Sequence, residues 1–178
     1  LLSFEKKNRF QKENKIIIDL TKSANINWVP LTFTKRPPLI SKIFDRWRLQ
    51  WKVNKLNRKH RFDMTHCRSY VAAEQGLRLK RRFGTKFLFD MRGFWADEKI
   101  DSGHWNINSP FFKWVYQYYK KKEKKFLLEA DAIVSLTHAA KQELISKKEY
   151  QLLQIDVIPC CADFNHFDYT RISNTDLE

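Results

Sequence analysis

Along this chain a short apolar run repeatedly gives way to a longer segment whose apolar residues return every three or four positions. The clearest run is Phe87-Leu88-Phe89 within Lys86–Met91, which breaks at once into Asp90, Arg92, Gly93, Trp95, Asp97 and Glu98. An apolar run of this length, bounded by turn and charge signals, predicts a buried strand. Comparable runs at Arg61–Cys67, Ala132–Leu136 and Ile155–Pro159 predict three more, and Leu1–Phe4 and Ile26–Phe33 read as two further strands. Lys15–Leu20 fits a strand or a short helical piece equally well, because an unbroken apolar run carries no period. Glu5–Asn14, charged throughout, reads as a helical turn or a loop.

Between these strands the spacing predicts helices. One spans Ser41–His60, with Ser41 as a candidate N-cap. A second runs from Tyr70 to Phe83 and stops at Gly84, the usual glycine just past a helix end. A third covers Phe111–Ala130, with Pro110 at its favoured first position. A fourth, His138–Lys147, has Thr137 as cap and a Glu143–Lys147 pair one turn apart. The stretch from Arg92 to Ser109 reads as a long loop. Strands alternating with helices of this length predict a parallel sheet covered by helices, an α/β, Rossmann-like three-layer domain. In such a sheet all carboxyl ends lie along one edge, where open α/β sheets place their ligands. Three polar groups fall there: His66-Arg68-Ser69, Asp90-Arg92-Gly93 with Trp95, and Ser135-Thr137-His138.

Composition narrows the functions open to such a domain. The chain has 178 residues, 43% of them hydrophobic, with 6 Trp, 6 Tyr and 14 Phe, enough for a packed core in one domain of ordinary size. No window approaches the roughly 18 uninterrupted apolar residues of a membrane span. Lys and Arg outnumber acids 34 to 20, a formal charge of +14, which favours nucleic acid, anionic headgroups or phosphorylated substrates as partners.

The Ser41–His60 segment concentrates that charge. Ile43, Phe44, Trp47 and Trp51 form one stripe, and Lys42, Arg46, Arg48, Lys52, Lys55, Arg58 and Lys59 stand against a single Asp45. Such a helix either packs its stripe on a core or lies on a membrane surface, with Lys52 and Arg58 facing headgroups. A nucleic-acid module is the competing reading of the charge, but no helix-turn-helix, zinc-finger, RRM or KH wording is present. Cys67 stands alone, Cys160 and Cys161 are adjacent, and the five histidines share no ligand spacing, so neither a disulfide frame nor a metal is expected. Gly-rich phosphate loops are missing too, which argues against dinucleotide-dependent dehydrogenases and P-loop enzymes.

Several segments, in this order, carry a resemblance. Asp156-Val157-Ile158-Pro159 through Ala162-Asp163 to Phe167 is similar to V-I-P-N-G-V-D-x-x-x-F. Ala132–Ala140 through Leu144 is similar to A-D-x-[IV]-[IV]-x-[VL]-S-x-x-x-x-x-x-L, and Phe62–Ser69 to D-[VI]-[VI]-H-x-H. Together they resemble the N-terminal, acceptor-side domain of GT-B glycosyltransferases, family 4 in particular. Two positions depart from the pattern: Cys160-Cys161 replaces Asn-Gly at the hinge, and Arg92 stands where the family often has an acceptor-facing histidine. Arginine suits a bidentate grip on phosphate or carboxylate.

The resemblance implies residues 1–160 as a Rossmann-like acceptor-side domain whose first strand and Gly-rich turn precede Leu1. It implies 161–178 as the start of a linker to a C-terminal domain. That domain of the same protein would bind the nucleotide-sugar, with no other cofactor and no metal. The whole enzyme would transfer a sugar to a glycan or lipid-linked acceptor in cell-surface polysaccharide synthesis. It would work in the cytoplasm or at the inner membrane face, and the domain alone would not turn over. Arg92 would hold an anionic acceptor group and Trp95 would stack on a sugar. Asp90, Gly93, His66 and Thr137 would complete the acceptor site, with His66 and Asp90 orienting hydroxyls or each other. A basic nucleic-acid-binding or peripheral membrane-binding module without catalysis is the alternative.

Overall fold

The computed structural model describes residues 1–34 and 37–161, which fall into two compact units divided after Phe62. Apart from Cys161, the segment expected as a linker lies outside the described residues.

In the first unit β1 (Leu2–Glu5) pairs in parallel with β2 (Val29–Thr32). Between them α1 (Lys7–Ser23) is one unbroken helix. The charged stretch after Glu5 and the ambiguous Ile16-Ile17-Ile18 run are therefore parts of a single element. Lys, Gln and Glu, all good helix formers, lead into the isoleucines and set the conformation that the run alone leaves open. Trp28 fixes the return of the chain: its ring meets Phe10 with centroids 5.9 Å apart, and its Nε1 donates to Ser3 Oγ at 2.9 Å.

The second helix of this unit, α2 (Pro38–His60), begins three residues earlier than Ser41. Pro38 occupies the first turn, where a missing N–H costs nothing, and Ser41 is buried inside the helix instead of capping it. The buried face of α2 is mostly polar: Ser41, Asp45 and Asn57 join Leu49. Asp45 accepts from the Thr34 N–H and hydroxyl, both at 2.8 Å, and from Arg48 Nη1 at 3.2 Å. Asn57 Oδ1 accepts from the Phe62 N–H at 3.1 Å. The stripe Ile43, Phe44, Trp47 and Trp51 is exposed, at 70, 47, 63 and 55%.

The second unit runs β3 (Met64–Arg68), α3 (Ser69–Phe83), β4 (Lys86–Met91), α4 (Trp95–Asp101), α5 (Pro110–Glu129), β5 (Ala132–Ser135), α6 (His138–Ile145), a 3-10 turn at Lys148–Tyr150 and β6 (Ile155–Val157). Its four strands form one parallel sheet in the order β3-β4-β5-β6, flanked by helices. This is the Rossmann-like α/β arrangement expected of one half of a GT-B protein. Part of the expected long loop after Arg92 is helical: α4 buries Ala96 and places Asp97 and Glu98 in its first turn, the end where the helix dipole favours acids.

Strand alternation sorts side chains between the two faces. Cys67, Phe87, Phe89, Met91, Ile133 and Ile155 belong to the core, with Tyr70, Ala73 and Leu77 of α3, Phe126 and Leu127 of α5, and Leu144 of α6. His66, Leu88, Asp90, Val134 and Asp156 take the other phase. Helix α3 lies close against the sheet because Gly76 has no side chain. A Cβ there would stand 2.5 Å from Cys67 Sγ and 2.6 Å from the Phe87 ring.

Asp131 clamps the opposite end of the sheet. Its carboxylate accepts from the Phe87 N–H at 2.9 Å, Lys80 Nζ at 2.9 Å and Lys86 Nζ at 3.3 Å. The Phe87 amide, with the two ammonium groups, lowers its pKa from 3.8 to about 2.

Two predictions follow from this packing. Gly76→Ala destabilises the protein by roughly 1–3 kcal/mol, the usual cost of overpacking, measured as a shifted urea midpoint; an unmoved midpoint contradicts the close approach. For Asp131 the folded carboxyl is depressed, so its stabilisation is complete above its ordinary pKa of 3.8 and is lost as pH falls through about 2. Asp131→Asn is therefore less stable than wild type at neutral pH, and the gap narrows steadily as denaturation is repeated from pH 5 down to about pH 2.

Candidate functional site

Parallel pairing brings the carboxyl ends of all four strands to one edge, with Arg68 opposite Asp90 and Met91 opposite Ser135. His66, one position back from Cys67 in β3, shares a sheet face with Asp90 of β4, diagonally across the ladder. Their side chains meet: His66 Nε2 lies 3.0 Å from Asp90 Oδ2. A carboxylate only accepts, so the neutral imidazole places its proton on Nε2 and leaves Nδ1 as an acceptor. The His66 side chain is 59% exposed and that of Asp90 9%, an arrangement in which a buried carboxylate orients an accessible ring. Asp90 Oδ1 is buried with no hydrogen-bond partner among the described residues. A carboxylate oxygen in that condition is a capacity for one more donor.

Chain geometry at this edge is strained. Ser69, directly after β3, has φ +68°, a left-handed conformation that costs a non-glycine residue roughly 1–2 kcal/mol. It turns the chain from the strand into α3 and carries Tyr70 into the core.

After β4 the half-buried Arg92 donates from Nη2 to Cys160 Sγ at 2.9 Å, tying the β4 loop to the segment after β6. Gly93 follows, and a side chain there would collide with the Glu98 carboxylate. Trp95 opens α4 and is gripped by Tyr70, Trp105 and Tyr119, with centroids 5.7, 5.4 and 4.8 Å away. Lys99 Nζ sits 5.9 Å from its ring. Thr137, exposed after β5, caps α6 through Oγ1, which accepts from the Ala140 N–H at 3.1 Å. His66 and Asp90 are thus in contact. Arg92 and Thr137 stand at neighbouring strand ends with partners of their own, and Trp95 is anchored among aromatic rings.

Two parts of the site had no sequence signal. The Arg92–Cys160 contact joins residues far apart in the chain, and neither lies in a motif that pairs them. The second is a polar chain beneath the loop. The buried Glu123 accepts from the Tyr70 hydroxyl and from Lys120 Nζ. Lys120 also donates to Asp97 Oδ2 at 2.8 Å, and the Tyr116 hydroxyl to Asp97 Oδ1 at 2.7 Å. Burial opposes charge on Asp97, yet the Lys120 and Tyr116 hydrogen bonds hold its carboxyl below the usual range. Burial, then the nearby Glu123, raises the Tyr70 phenol far above its ordinary value, so it serves as a fixed donor. Cys67 is likewise no nucleophile, because burial pushes its thiol up to about 11. Among the described residues no group of three or more His, Cys, Asp or Glu is placed to hold a metal ion.

Comparison with curated proteins finds no match. The model of Glycosyltransferase Family 4 matches residues 5–166, a span that includes the whole four-stranded sheet, the strand-end residues and the Cys160 segment. With a parallel α/β sheet whose polar residues gather at its carboxyl edge, the chain belongs to glycosyltransferase family 4, as the Rossmann-like N-terminal half of a GT-B glycosyltransferase.

Proposed function

We propose that this domain supplies the acceptor side of a hexosyltransferase that uses a nucleotide-sugar donor and a glycan or lipid-linked acceptor bearing an anionic group. The donor is held by a second domain of the same protein, so the reacting groups meet only when both halves enclose them. The observation that carries this reading is the His66–Asp90 contact at the carboxyl edge, one strand end from Arg92.

Each group has a chemical task. His66 Nδ1, the nitrogen turned away from Asp90, accepts a hydrogen bond from the acceptor hydroxyl and orients its oxygen for attack. Asp90 holds the ring and favours any positive charge that develops on it. The guanidinium of Arg92 is always charged and offers paired donors, which fits a phosphate or carboxylate. Its contact with Cys160 is compatible with this, because a thiol is a weak acceptor that an anion displaces readily. Gly93 gives the turn after Arg92 room for the Glu98 carboxylate and offers the acceptor only backbone. Trp95 forms an apolar wall for a sugar ring, held rigid by its three aromatic neighbours, and Thr137 lines the far side with a hydroxyl.

Transfer assays with the donor domain present test the assignment. Arg92→Ala raises the acceptor KM by roughly ten- to a hundredfold, the loss expected of a charge-assisted hydrogen bond, and leaves donor hydrolysis nearly unchanged. An unaltered acceptor KM removes Arg92 from the site.

A further inference from the structure

We propose that the exposed stripe of α2 seats this protein on an anionic lipid bilayer surface, with its aromatic side chains in the interface and Lys55, Arg58 and Lys59 on headgroup phosphates. This goes beyond the catalytic reading and does not depend on it.

The faces of α2 are inverted. A helix of a globular protein normally buries its apolar stripe and exposes its polar one. On α2 the residues that are buried are Ser41, Asp45, Leu49 and Asn57, while Ile40, Ile43, Phe44, Trp47 and Trp51 are exposed by 47–70%. Spaced at i, i+3, i+4, i+7 and i+11, these five form one continuous ridge. Single exposed apolar residues need no explanation, but a contiguous ridge with two tryptophans marks an interaction surface.

The same line then turns basic. Lys55 and Arg58 follow Trp51 at i+4 and i+7 and extend the ridge by two turns. Trp51, Asn54, Lys55, Arg58 and Lys59 line a shallow hollow, with Lys55 Nζ 5.2 Å from the Trp51 ring. Indole beside ammonium is the pairing that suits a membrane interface, where rings lie at the headgroup level and cations reach phosphate. The only acid of the helix, Asp45, is buried and already accepts from Thr34 and Arg48, so it does not repel an anionic surface.

Charge and shape select among occupants. A second copy of the chain offers this face no acid to meet Lys55, Arg58 and Lys59, because the single acid of the helix, Asp45, is buried. Nucleic acid satisfies the cations but leaves Ile40, Ile43 and Phe44 facing sugar and phosphate. A bilayer surface satisfies both ends, with hydrocarbon and glycerol for the apolar ridge and phosphate for the cations. Among the described residues no helix is long and apolar enough to cross a membrane, and α2 is proposed to lie along the surface.

Sedimentation of the full chain with phosphatidylcholine vesicles, with and without about a third phosphatidylglycerol, provides the test. Binding to the mixed vesicles and weak binding to pure phosphatidylcholine are expected. Lys55→Gln/Arg58→Gln/Lys59→Gln lowers the partition coefficient on mixed vesicles by about a hundredfold, at about fivefold for each basic residue lost near the surface. Trp47→Ser/Trp51→Ser lowers it by at least about tenfold on either vesicle. All five positions are on the surface, and thermal melts matching wild type establish that the variants are folded. The proposal is overturned if wild type leaves the mixed vesicles unbound, or if both variants bind as wild type does. It is also overturned if the substitutions abolish binding to duplex DNA or self-association but not to vesicles.

Discussion

The ladder register of β4 against its two neighbours is the constraint from which the rest of the second unit follows. With Arg68 opposite Asp90 and Met91 opposite Ser135, Phe87, Phe89 and Met91 enter the core and Asp90 takes the other face beside His66. A slip of one residue would exchange the two sets. Each of the three apolar side chains would forfeit about 1.5–3 kcal/mol of burial, and a carboxylate would enter an aromatic cluster without a counter-ion. The hydrophobic pattern that builds the core therefore also fixes where Asp90 stands beside His66, so the core and the candidate site share one register.

A second layer of organisation holds the loop after β4 in place. Trp95 is wedged among Tyr70, Trp105 and Tyr119, and the Tyr70–Glu123–Lys120–Asp97–Tyr116 chain ties α3, α4 and α5 together. Buried ionic chains add little net stability against apolar replacements. Their contribution here is geometric. They fix the direction in which the chain leaves β4, and with it the starting point of Arg92 and Gly93. The loop after β4 is thus backed by rings and hydrogen bonds, and its outer residues stay half-exposed.

Much of this was legible in the sequence because local signals agreed. Lys86–Met91 is a strand with the boundaries its apolar run and the preceding Gly84 suggest, and Thr137 caps α6 as its hydroxyl and position imply. Where local and tertiary effects competed, the reading failed. Ser41 has the right chemistry for an N-cap, but Pro38 starts α2 earlier and Ser41 ends up buried. Three consecutive isoleucines carry no period, so only their neighbours make α1 helical. The seven-residue α4 lacks a side-chain cap and depends on Ala96 and Trp95 packing that no local pattern announces. Periodicity found the stripe of α2 but could not say which face the protein covers; Asp45, bound by Thr34, decides it. Of the candidate site, parallel strand ends and the His66–Asp90 pairing follow from alternation once the register is known. The Arg92–Cys160 contact joins two segments that no local pattern pairs.

The ring nitrogens of His66 report on the central claim most directly. Long-range proton–nitrogen correlation spectra at a pH where the imidazole is neutral distinguish its two tautomers. The register described here predicts the Nε2–H form, held by Asp90 Oδ2, and a weaker preference for it in Asp90→Ala, which removes the acceptor. An Nδ1–H ring in the wild-type protein, or a spectrum unmoved by the substitution, would mean that the two strands do not bring these side chains together.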